Sequence, residues 1–170
     1  LVSAENLIPQ GLKNQLSIED YSWSPDASKL IIFTNGKQVW RYNTRGDYWV
    51  LDLATKSLYQ LGKNLPASSL MFAKVSPDGT RAAYVSKHNI YVENLTNHDI
   101  KPLTTNGSET LINGTFDWVY EEEFDCRDGF SWSPDSKHIA YWQLDASKVR
   151  DFYMINNTDS LYSYIIPVQY

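Results

Sequence analysis

A phrase that recurs three times limits what this chain can fold into. Ser22-Trp23-Ser24-Pro25-Asp26 leads into Leu30-Ile31-Ile32-Phe33, Val75-Ser76-Pro77-Asp78-Gly79 into Ala82-Ala83-Tyr84-Val85, and Ser131-Trp132-Ser133-Pro134-Asp135 into Ile139-Ala140-Tyr141-Trp142. Proline presets φ for the second position of a type I turn, and Ser or Asp can bond the turn's own backbone, so each copy reads as a hairpin between apolar strands. The Ser-Pro-Asp triplets begin at 24, 76 and 133, intervals of 52 and 57 residues. Further strands are expected at 38–42, 48–53 and 58–61, with a turn over 43–47, and at 89–94 and 100–103. About four strands per interval is the size of a propeller blade.

The expected fold is therefore all-β, a partial β-propeller of about three four-stranded blades with one short inserted helix. Alternation recurs along the chain, whereas the 3.6-residue period does not extend beyond about two helical turns. Three blades cannot close a ring. The outer blades are expected to leave a face or edge unpaired, and the intact protein to continue past Tyr170.

The insertion comes before the third copy. About 26 residues separate the second unit's last strand, near Thr104, from Ser131, and they contain Asp117-Trp118-Val119-Tyr120-Glu121-Glu122-Glu123-Phe124. A loop of more than about 15 residues in a compact domain is usually functional or disordered, and Phe116, Trp118 and Tyr120 argue for order. One helix is expected from Trp118 to about Phe124, facing the propeller's central opening. Crowded carboxylates repel, and at least one pKa rises unless a cation joins them. The alternative is a solvated acidic turn or a helix start, where carboxylates suit the positive end of the dipole.

Composition narrows the partners. A formal net charge of −5 argues against a nucleic-acid surface, which needs clustered Lys and Arg. Hydrophobic residues at 42% suffice for a core, and the one cysteine, Cys126, cannot form an internal disulfide. It reads as an inert small residue beside Arg127. His88, His98 and His138 are spread over different turns without metal-ligand spacing and read as surface residues; no cofactor is expected. No apolar run approaches the roughly 20 residues of a membrane span. Sequons at Asn94, Asn106, Asn113 and Asn156 are weak signals at this Asn, Ser and Thr content.

The acidic stretch closely resembles the double-glutamate motif of the dipeptidyl peptidase IV family, serine exopeptidases that release dipeptides from peptide N-termini. The resemblance implies that Glu122 and Glu123 hold the substrate's α-ammonium, from a short helix inserted in a propeller. It leaves Glu121 turned away, solvated or structurally bonded. Trp40-Arg41, followed by Tyr48 and Asp52-Leu53, is similar to the segment whose arginine binds a substrate carbonyl, which makes Arg41 the third site residue; an ion pair with one of the glutamates is its other reading. Residues 124–129 depart from the family pattern, being more charged and one residue shorter.

The resemblance further implies a peptide partner with a free N-terminus, a C-terminal α/β-hydrolase domain, a homodimer, and a periplasmic, extracellular or cell-surface location. Residues 1–170 then form part of an N-terminal propeller. The catalytic triad lies elsewhere: this chain has no Gly-x-Ser-x-Gly, and Gly129-Phe130-Ser131-Trp132-Ser133 lacks the last glycine. The competing reading is a non-enzymatic propeller, a binding scaffold or inactive relative, whose acidic helix contacts protein.

Overall fold

The Ser-Pro-Asp phrase folds the same way each time it occurs. In the computed structural model, which describes residues 2–159 and 161–169, the triplet serines donate their hydroxyls to Asp26, Asp78 and Asp135, each at 2.6 Å. The same hydroxyls accept the backbone N–H of Lys29, Arg81 and His138. Each aspartate also takes a backbone N–H two residues on. The triplet thus satisfies the turn's own polar groups, as an Asx or ST turn does.

These bonds favour the ionised aspartates. The Asp26 carboxyl falls from 3.8 to about 2, chiefly through the Ser24 hydroxyl and then that of Ser28, and Asp78 and Asp135 shift in the same direction behind Ser76 and Ser133. Between the two values the unfolded chain binds more protons, so this stability is present above pH 3.8 and lost as pH falls toward about 2. Acid unfolding of the full-length protein, followed by tryptophan fluorescence, is expected to show this slope. Asp26→Asn should flatten it.

Two complete four-stranded units follow from the turns. The first is β1 (Asp20–Trp23), β2 (Lys29–Val39), β3 (Tyr42–Asp52) and β4 (Leu58–Gln60); the second is β5 (Leu70–Val75), β6 (Arg81–Ser86), β7 (Asn89–Asn94) and β8 (Ile100–Pro102). Every pairing is antiparallel, and β3 also pairs with β5 through Arg45↔Met71 and Gly46↔Leu70, joining the units into one eight-stranded sheet.

Alternation along the strands divides the core. On β2, Ile31 faces a cluster shared with Val50, Leu61, Leu70, Val75, Ala82 and Tyr84, while Leu30 and Ile32 face another with Leu51. On β6, Ala82 and Tyr84 look toward the first unit, and Ala83 and Val85 toward Ile90 and Phe130. Both faces are buried along β6 and along the first half of β2, as stacked blades require. The first unit's outer face, expected to be bare, is partly covered by Val2, Leu7 and Leu16.

The third copy departs from the expected four-stranded blade. β10 (Phe130–Trp132) and β11 (Ile139–Tyr141) form a two-stranded sheet, β12 (Gln143–Asp145) pairs with β9 (Leu111–Asn113) from the insertion, and β13 (Asp151–Asn156) with β14 (Tyr164–Gln169) makes a separate hairpin. The switch occurs at Trp142, whose N–H bonds Gly129 O while its carbonyl accepts from Gly114. The β13–β14 hairpin exposes Phe152, Tyr153, Ile155 and Ile165. Trp132 docks its indole N–H on Lys74 O and lies under Arg81. Its counterpart Trp23 is 48% exposed. Tyr170 falls outside the described residues.

A second correction concerns 38–53. The expected turn at 43–47 is strand: β2 and β3 are 11 residues each and run past the sheet as an arm, turning only at Trp40-Arg41. Trp40 takes φ +54 to make the two-residue turn, and register shifts between Thr34 and Val39 twist the arm. Polar residues in 34–47 hid an extended ribbon that leans partly on β5.

Candidate functional site

The arm tip meets the one α-helix among the described residues. Asp117 caps α1 (Trp118–Phe124), accepting the Tyr120 N–H at 3.0 Å, and Asp125 ends it at φ 56. These are the bounds the sequence predicts. Trp118 lies 6.5 Å from Trp40, centroid to centroid, while Phe116, Tyr120 and Phe124 form a ring series that continues to Trp142. Aromatic contacts therefore set the helix on the arm tip on one side and on the third unit on the other.

Successive helical side chains diverge by about 100°, and the three glutamates go three ways. Glu121 turns inward and is 7% exposed; its carboxylate lies by the backbone of Arg41, and its Oε1 has no hydrogen-bond partner. Burial pushes its pKa up, with the Glu122 charge adding to the effect. Glu122 is half-buried and accepts two bonds from Arg41, Nε to Oε2 and Nη2 to Oε1, each at 2.5 Å. That fork holds the Glu122 carboxyl below the usual range and raises Arg41. Glu123 is exposed.

The structure thus brings Arg41 and Glu122 together across 81 residues, places Glu123 on the adjoining helical position, and gives Arg41 the ion pair raised as its other reading. Glu121 is turned away from that pair and buried, and its burial is the feature that the run of three glutamates conceals. Arg127 braces the other side, stacked 4.2 Å over the Tyr42 ring and paired with Asp125. Lys74 ties the end of the insertion to β5, bonding Asp128 and Phe130 O and lying over the Phe130 ring. Neither tie carries a sequence signal, because both join residues more than fifty positions apart or within an irregular loop.

Other sequence expectations shift. Asn113 is fully buried and donates its amide to His88 O and Asn106 Oδ1, so its sequon is closed to glycosylation in the folded state. His138 is a surface residue. His98 is exposed too, 3.6 Å from the buried Glu93, whereas His88 is half-buried and bonds Ser108 O through Nδ1. Among the described residues no cluster of His, Cys, Asp or Glu could hold a metal ion, and no helix is long and apolar enough to cross a membrane.

Residues 24–170 match the family described as the dipeptidyl peptidase IV (DPP IV) N-terminal region. The chain belongs to the dipeptidyl peptidase IV family. Dipeptidyl aminopeptidase B of Saccharomyces cerevisiae is 33% identical over all of this chain and 20% of its own length. The probable dipeptidyl-aminopeptidase B of Arthroderma otae is 35% identical over 76% of the chain and 14% of its own length. The crystal structure of Porphyromonas gingivalis dipeptidyl peptidase 4 superposes with a TM-score of 0.80 at 27% identity, covering 95% of this chain and 23% of that one. That superposition supports the propeller assignment. The chain spans about a fifth or less of the dipeptidyl aminopeptidases it matches.

Proposed function

We propose that this chain is the substrate-anchoring part of a dipeptidyl peptidase IV-like serine exopeptidase, and that Glu122, Glu123 and Arg41 hold the free N-terminus of a peptide. The observation that carries the reading is the Arg41–Glu122 fork with Glu123 exposed beside it. Glu122 keeps unused lone pairs after accepting from Arg41, and a second carboxylate lies one residue on. An α-ammonium offers three donors, and charge-assisted bonds are about twice as strong as neutral ones.

Arg41 retains its Nη1 donors for a carbonyl of the same peptide. A clamp at fixed distance from a nucleophile measures the chain, since two extended residues span roughly 7 Å. The fixed amine thereby sets which bond is cut, and binding raises the rate only so far as it positions that bond. The nucleophile belongs to an α/β-hydrolase domain elsewhere in the protein, and residues 1–170 to the N-terminal propeller. Length supports this: the relatives are several times longer than the chain. A homodimer and an extracytoplasmic location follow from the same reading.

The test compares a dipeptidyl chromogenic substrate with its N-acetylated form on the full-length protein. Acetylation removes the positive charge and two donors, so the acetylated substrate should turn over at least about a hundredfold more slowly. Equal rates would remove the clamp from the mechanism.

A further inference from the structure

A second charged site lies at the base of the same arm. Lys37, Arg45 and Lys87 line one open cavity of about 650 Å³ together with Ser68, Ser69 and His88. None of the three cations has an ion-pair partner among the described residues. The acids nearby are otherwise engaged: Asp47 accepts the Asn35 amide and the Ser68 N–H, and Glu19 accepts the Gly36 N–H. Three unpaired cations gathered in one concavity run against a chain whose net charge is −5.

Two local costs concentrate at this place. Lys37 and Arg45 are direct cross-strand partners, and like charges directly opposite destabilise a sheet. Lys87 and His88 form the two-residue turn between β6 and β7 with φ of 47 and 57, a conformation that Asn-Gly adopts more cheaply. The turn is held rather than loose. Asn113 donates both its backbone N–H and its side-chain amide to His88 O, and Gly107 packs so close that a Cβ there would lie 2.3 Å from the same oxygen. Strain kept in place by a rigid surround is a reason to look for a ligand.

We propose that this cavity binds a small multiply charged oxyanion of the phosphate class, free or as the terminal group of a larger molecule. Arg45 supplies a planar fork that matches two anion oxygens, while Lys37 and Lys87 act as point charges from the opposite strand and the neighbouring unit. Ser69 accepts from Ser86 through its Oγ at 3.3 Å, which leaves its own hydroxyl proton for the ligand. A bound anion also relieves the Lys37–Arg45 repulsion, so binding and arm stability are coupled.

The experiment is calorimetric titration of the full-length protein with inorganic phosphate and with pyrophosphate, at ionic strength held constant with sodium chloride. Saturable binding is expected, tighter for pyrophosphate because three cations face it. Arg45→Ala/Lys87→Ala should weaken it at least tenfold, and Lys37→Ala, acting from the other strand, should weaken it as well. Without anion, Arg45→Ala should melt no lower than the parent, which separates lost binding from lost folding. Two results overturn the site: heats no larger than those of the chloride control, or unchanged affinity in the double variant. If a sugar phosphate binds as tightly as phosphate, the terminal group is what is recognised; if only the free ions bind, the ligand is the ion itself.

Discussion

Glu123→Gln in the full-length protein is expected to lower kcat/KM for release of an N-terminal dipeptide by about a hundredfold, the loss that accompanies one hydrogen bond to a charged group. Glu122→Gln should cost more, because it also unfastens Arg41, whose guanidinium is forked onto that carboxylate. Glu121→Gln is the internal contrast. An amide keeps the size and shape of the side chain and removes a charge that burial disfavours, so kcat/KM should stay within about threefold of the parent. Steady-state kinetics on a free-amine substrate measure all three. Near-normal rates for both Glu122→Gln and Glu123→Gln would sink the clamp.

The largest expected loss of stability lies away from the site, at Glu93. This carboxylate is 1% exposed, accepts the Gly62 N–H at 2.8 Å and the Tyr84 hydroxyl at 3.0 Å, and has His98 as its outer neighbour. Gly62 belongs to the first unit and Glu93 to β7 of the second, so the side chain links the two blades. Glu93→Ala leaves two buried donors unpaired and opens a cavity, a cost of about 4 kcal/mol. The thermal midpoint of the full-length protein should fall by more than about 5 °C, and proteolysis should quicken. Glu93→Gln, which still accepts one bond, should lose less than half as much. An unshifted midpoint for Glu93→Ala would mean that water replaces the carboxylate without penalty.

What could be read from the sequence was local. The Ser-Pro-Asp turns are self-contained: hydroxyl, carboxylate and backbone all lie within six residues, so the triplet announces its own structure. The helix at Trp118–Phe124 is equally local, capped by the aspartate that precedes it. The arm was missed because polar residues 34–47 carry no apolar alternation, and what keeps them extended is mostly pairing with each other and with β5. The breakup of the third unit was invisible because β12 takes its partner from the insertion. At the site, the three glutamates have one letter and three environments. Only the fold decides that Glu121 is buried, Glu122 bound to Arg41 and Glu123 exposed.

The pairing of β3 with β5 rests on two residue pairs, Arg45↔Met71 and Gly46↔Leu70, yet it makes the first eight strands a single hydrogen-bonded ladder. Amides along both units should then exchange with deuterium as one cooperative block, with no step in protection at the boundary between them. The ribbon that carries Arg41 is thus rooted on the seam between the two halves instead of within either of them.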